Sequence, residues 1–248
     1  MSSATAAVPL GDKPLSEVER VVDTFIAPSK TFTDIRRSAS WWLPWLLSAI
    51  VGLGMVFVVD KKVGMEKVNE NRLALTPKQA AKLDQLPPDQ RANQMEIAAK
   101  FTRYIAYSFP LFNLLLVAIL AAVLLATFNF GFGAELKFAQ CYAVSMYAFL
   151  PGIIKALLAL VIVLVTGGEG FTFENPVASN LGGLVDPSSA FLHSLASSID
   201  VFAIWILVLT AIGYSCLTRV KRSTCYAVIF GWWAIVSLVS AGIAGAFS

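Results

Sequence analysis

Two residues in this chain stand where a polar group could do chemistry, Lys155 and Asp200. Lys155 is the one full charge well inside an apolar run, and a charge at a bilayer midplane costs roughly 2.5 to 3.5 kcal/mol. Asp200 stands at one end of another run, 199–217, which holds Trp205 and Gly213 and leads into the basic Thr218-Arg-Val-Lys-Arg222. An acid and a base lying toward the same membrane face can form an intramembrane polar pair. The plainer alternatives are that Lys155 snorkels along its own stem and that Asp200 caps its helix against the dipole. Other candidates are weaker. The single histidine, His193, argues against a multi-histidine metal centre and reads as a polar loop residue. Cys141, Cys216 and Cys225 lie in or beside apolar segments without Cys-x-x-Cys or Cys/His spacing, so they read as small packing residues. Within the apolar runs there is no paired-acid, Ser/His or His-Glu-x-x-His arrangement, and the chain has no nucleotide-binding loop. No catalytic residue, metal or cofactor is therefore expected.

The elements that must position these residues follow from composition. Of 248 residues, 57% are hydrophobic and 14% charged, against roughly a quarter charged in ordinary soluble domains. This is the composition of an integral membrane protein, whose backbone polar groups must be satisfied within helices. The net charge is +3 with its bases scattered or juxtamembrane, so nucleic acid is not expected as a partner. The expected fold class is all-α: a polytopic membrane helical bundle of about five transmembrane helices, with an N-terminal interfacial amphipathic segment and an extramembrane helical hairpin.

In chain order, residues 1–15 read as a mobile tail, and no apolar run falls in the first forty residues, so no cleaved leader is expected. Ser16-Glu-Val-Glu19 is a capping box opening a helix with Val18, Val21, Val22, Phe25 and Ile26 on one face. A second short piece places Phe32 and Ile35 inward and offers Arg36 and Arg37 to phosphate headgroups, so 16–38 should lie on the membrane surface. The first span, 41–59, is entered through Trp41, Trp42 and Trp45. Residues 60–103 form the hairpin, with Thr76-Pro77 starting one helix and Pro87-Pro88 ending it. Its leucines are too few for a core of its own, so it should lean on the membrane domain or on a partner. Further spans are expected at 104–128, 138–165, 199–217 and 226–247, with a loop at 166–198 in which Asp186-Pro187 can cap a short helix. The 28 residues of 138–165 would extend about 42 Å, so tilt or a break at Pro151-Gly152 must absorb the excess over a roughly 30 Å core. Trp205, Leu209 and Gly213 mark a packing seam, and Ser237, Ala241 and Gly245 form a small-residue stripe for close helix approach or partner contact.

Five spans put the termini on opposite sides. Lys30, Arg36, Arg37, Lys137, Arg219, Lys221 and Arg222 would then share one side, which the positive-inside rule makes cytoplasmic. The expectation is a bacterial inner membrane protein with its N-terminus cytoplasmic and its C-terminus periplasmic.

Phe25-Ile-Ala-Pro-Ser-Lys-Thr-Phe-Thr-Asp-Ile35 ahead of a tryptophan-rich span, and Ile199-Asp-Val-Phe-Ala-Ile-Trp205 followed by Leu209 and Gly213, resemble the bacterial branch of the YIP family. The resemblance covers about residues 20–247 and rests on the order and spacing of loose hydrophobic motifs; Lys155 has no counterpart in that pattern. It implies five spans, a cytoplasmic N-terminus and a non-enzymatic protein acting through other membrane proteins. The family is named for eukaryotic proteins that interact with Ypt/Rab GTPases, a partner that does not transfer to bacteria. Association of some bacterial relatives with ABC exporters of the macrolide-efflux type implies an accessory or scaffold role beside such a pump and its periplasmic adaptor. The contrasting expectation, from Lys155, Asp200 and Pro151-Gly152, is a small channel, transporter or lipid-handling protein.

Overall fold

The computed structural model describes residues 13–186 and 188–247. Residues 1–12 of the expected tail, Pro187 of the expected cap and Ser248 lie outside the described residues. Among the described residues the regular elements are helices, apart from an isolated antiparallel bridge between Asn180 and Asp200.

Helix α1 (Glu17–Ile26) starts on Ser16, whose hydroxyl accepts from Glu19 N at 3.2 Å while Glu19 Oε2 accepts from Ser16 N at 2.8 Å. Two amides of the first turn are thereby satisfied. Helix α2 (Pro28–Asp34) follows after a single residue, with proline in its first turn, where its missing donor costs nothing. Then come α3 (Trp42–Lys62), the short α4 (Met65–Ala74) and α5 (Pro77–Asp84), and α6 (Pro88–Tyr107). The segment read as a hairpin thus holds three helices, and α6 continues through Tyr104, where the sequence starts a span. Ser108 interrupts the helix, its amide and hydroxyl both donating to Tyr104 O, and α7 (Phe109–Phe132) begins beside Pro110. Next are α8 (Phe138–Ala148) and α9 (Pro151–Thr166), parted by Phe149 and Leu150; Pro151 has no amide to continue the ladder. A 3-10 turn (Leu181–Leu184), α10 (Ala190–Ser198), α11 (Val201–Leu217) and α12 (Arg222–Phe247) complete the chain.

Four helical stretches are long and apolar enough to cross a membrane: α3, α7, α8 with α9 over 29 residues, and α12. The fifth apolar helix, α11, has 17 residues. The chain is a multi-pass integral membrane protein.

Two compact units divide the chain. The first holds the described residues up to Ala49, Pro110–Ile153 and Ile204–Trp233. Its core is α8, buried throughout from Cys141 to Ala148, against Val117, Ala121, Leu124 and Phe128 of α7 and Leu209 to Tyr214 of α11. Because α7 is apolar on every side, its inward stripe is selected by packing, and Leu115, Leu116 and Ile119 are left for lipid. The second unit holds Ile50–Phe109, Ile154–Ala203 and the residues from Ala234 on. There Met55 and Val59 of α3, Val68 of α4, Ala159 and Val163 of α9 and Phe171 make one core, and Val56, Met65 and Ala99 a smaller one.

Candidate functional site

In the second unit, Lys155 Nζ lies 3.0 Å from Asp200 Oδ2. The same oxygen accepts from Ser179 Oγ, while Oδ1 accepts from Phe202 N at 2.9 Å and Ala203 N at 3.0 Å. Asp200 is therefore both the N-cap of α11 and an ion-pair partner. Around it the loop chain is pinned by backbone: Val201 N donates to Ser179 O at 3.1 Å and Leu181 N to Ile199 O at 3.3 Å. Asn180 steadies the turn by accepting from Gly182 N at 2.9 Å and donating to Asn175 Oδ1 at 2.7 Å. The lysine side chain keeps 22% of its surface exposed and the aspartate 6%. Both oxygens are thus engaged, by four donors in all.

The other end of the 166–198 loop is tied down as well. Asn71 Nδ2 donates to Gly168 O at 3.3 Å and Phe171 O at 3.0 Å. Gly168 has φ +82°, and a Cβ there would collide with Val63, so both torsion and space call for glycine.

The first unit contains a polar cluster that no motif announces. Arg20, 2% exposed, donates from Nε (2.9 Å) and Nη2 (2.8 Å) to Asp34 Oδ2, which also accepts from Leu15 N at 3.2 Å. Thr24 and Thr31 hydroxyls donate to Arg20 O, and Tyr147 OH of α8 donates to Glu17 Oε2 at 2.7 Å. Of the face read as membrane-directed, Val21 and Phe25 pack on the core, whereas Val18, Val22 and Ile26 are exposed. The amphipathic segment is thus held by both a polar and an apolar side.

Trp205, Leu209 and Gly213 lie where α1 and α2 meet α11. Phe25 and Trp205 rings pack edge to face at 5.7 Å, and Leu209 is buried. A Cβ on Gly213 would collide with Val144 and come within 3.3 Å of Phe32, so glycine permits this approach. The two stretches that carried the family resemblance are therefore packed on one another. Of the small-residue stripe, Ser237 and Ala241 are buried, and a Cβ on Gly245 would lie 3.2 Å from Phe191 Cβ of α10. Arg36 is half-buried and Arg37 sits 3.7 Å from Asp34 Oδ1. Arg219, Lys221 and Arg222 are exposed, and Arg222 lies over the Tyr226 ring at 5.9 Å. His193 is half-buried on α10, and the three cysteines are free thiols in the core. Among the described residues no cluster of three His, Cys, Asp or Glu could hold a metal ion.

Lys155 and Asp200 were legible as charges in apolar surroundings. Ser179, Arg20, Asp34 and Tyr147 were missed. The sole hint for Arg20 was its place opposite an apolar face, a position that solvent explains equally well.

Neither a curated protein nor a solved structure matches the chain. A family model does: that of the Yip1 domain, over residues 22–243.

Proposed function

The chain belongs to the Yip1 domain family, and from that premise we propose that it is a non-enzymatic accessory or scaffold protein of a larger complex in the bacterial inner membrane. The complex we favour is an ABC exporter of the macrolide-efflux type with its periplasmic adaptor.

The observation that carries this reading is the unevenness of the segment from α4 to α6. Its proximal part is buried through Met65, Val68 and Ala99. Its distal part instead lines an open groove of about 640 Å³ with Leu73, Ala74, Leu83, Leu86 and Met95, rimmed by the Asp84–Arg91 pair at 3.2 Å. A cleft of that size, lined by Glu70, Asp84 and Arg91 as well as by apolar side chains, on an element firmly seated at its other end, suits a partner segment of mixed apolar and charged side chains. Purification of the full chain in mild detergent should retain an exporter or adaptor subunit in fixed stoichiometry, and Leu83→Glu should release it. Repeated isolation of a functional monomer with no partner would refute the proposal.

In this reading α11 is the fifth crossing; its 17 residues rise about 26 Å. The N-terminus is cytoplasmic, the C-terminus periplasmic, and Arg36, Arg37, Arg219, Lys221 and Arg222 face the cytoplasm. Trp205, Leu209 and Gly213 serve as an internal seam, and Ser237, Ala241 and Gly245 as a packing or partner stripe.

A second reading, a small channel, transporter or lipid-handling protein, is favoured by the Lys155–Asp200 pair and the helix break before Pro151. Flux or scrambling by the protein alone in liposomes supports it. Unchanged flux in Lys155→Met and Asp200→Asn removes those residues from the path.

A further inference from the structure

Helix α6 changes character along one face. Gln90, Asn93 and Gln94 occupy that face first, all exposed. The same face then carries Ile97, Phe101, Tyr104 and Ile105, which are 58%, 65%, 73% and 44% exposed. Ile97, Phe101 and Ile105 follow one another at four-residue steps and Tyr104 lies three residues after Phe101, the spacings that keep side chains on one helix face. The opposite face is fully engaged. Ala99 is buried, Thr102 Oγ1 donates to Asn69 Oδ1 at 3.1 Å, and Arg103 Nη2 donates to Asp60 Oδ1 at 2.9 Å. Tyr107 OH donates to Asp60 Oδ2 at 3.3 Å. The apolar face therefore cannot turn inward.

Asp60 belongs to α3, a membrane-crossing helix whose Phe57, one turn earlier, is itself 54% exposed. Both helices therefore leave aromatic rings uncovered beside the Asp60–Arg103 pair. The residue types of the α6 stripe fit the interfacial layer, where a tyrosine ring is half apolar and half wet. Lys100, paired with Glu96 at 2.6 Å, stands on the border of the stripe, with a stem long enough to keep its ammonium at headgroup level.

We propose that α6 from Ile97 onward is set into the interfacial layer of the bilayer, so that lipid covers Ile97, Phe101, Tyr104 and Ile105 and the water boundary on this helix falls between Gln94 and Ile97. The segment read from the sequence as extramembrane up to residue 103 is then half-immersed over its last three turns. This holds whether or not a partner fills the groove between α4, α5 and α6.

The test is site-directed spin labelling in vesicles of zwitterionic and anionic phospholipid. Single cysteines replace Asn93, Gln94, Ile97, Phe101 and, as the lipid-facing reference, Phe57, in the full chain, whose own three cysteines are buried. The ratio of collisions with oxygen to collisions with a water-soluble nickel chelate is expected to rise from Gln94→Cys to Phe101→Cys and there to match Phe57→Cys. A ratio at Phe101→Cys equal to that at Gln94→Cys overturns the proposal, because the stripe then faces water. Low collision frequencies with both reagents at Phe101→Cys also overturn it, because protein then covers the stripe. All replaced side chains are exposed, so unchanged helicity and monodispersity confirm that the variants are folded.

Discussion

Asp200 accepts from four donors of three kinds, and its loss strips all of them at once. Asp200→Ala should therefore cost about 3 to 5 kcal/mol, since it removes the cap of α11 together with one partner of the ion pair. Lys155→Ala leaves the carboxylate with Ser179 and two amides, so about 1.5 to 3 kcal/mol is expected, the range for one hydrogen bond to a charged group. Thermal unfolding in detergent measures the difference; equal losses would mean that the cap and the serine contribute nothing. The same reasoning applies to Arg20 and Asp34. Removing either one alone should destabilise strongly, whereas Arg20→Met with Asp34→Leu should recover much of the loss, since apolar replacement of a whole buried pair is often neutral. Lys155 could be singled out because a charge in an apolar run violates its surroundings. Arg20 and Asp34 could not, because each stands among other polar residues and burial arises only when α1 folds onto α2 and α8.

At the scale of elements, α1 depends on its capping box. Ser16's amide and hydroxyl hold the Glu19 carboxyl below the ordinary carboxylate range. A lowered folded-state value means that its contribution is present above that range and lost as pH falls through the lowered value. Amide protection of the first turn of α1 should drop on acidification, and Glu19→Gln should abolish that dependence; an unchanged pH profile in the variant would sink the assignment. Gly213 governs how closely α11 receives Phe32. Gly213→Val should overpack the seam by about 1 to 3 kcal/mol, read as a lower Tm, and Val144→Ala should rescue part of it. The long apolar helices were legible from composition, as was the capping box from Ser16 and Glu19. The limits of α6 were not, since Tyr104 and Ile105 read as the start of a span until their helix is seen to end at Tyr107. The Asn180–Asp200 bridge was not legible either, because a Gly-, Ser- and Asn-rich stretch has no period and its order comes from a distant carboxylate.

For the molecule as a whole, family membership and the multi-pass membrane architecture rest on the Yip1 domain match and the four long apolar helices. Composition alone led to the same class, because 57% hydrophobic residues in long runs admit few other folds. The partner was not legible: a groove on α4, α5 and α6 arises where two short helices leave part of a longer one uncovered, which no periodicity encodes. The proposed topology predicts that a cysteine at Lys82 reacts with a membrane-impermeant maleimide in intact spheroplasts, whereas one at Val220 reacts only after permeabilisation; the reverse pattern would invert the protein. The most direct measurement of the accessory role is site-specific photocrosslinking from Leu83 in native membranes, with the adducts identified by mass spectrometry. One dominant adduct is expected, with an exporter or periplasmic adaptor subunit, and it should disappear when Leu86→Glu is added. No adduct, or adducts with this chain alone, would contradict it.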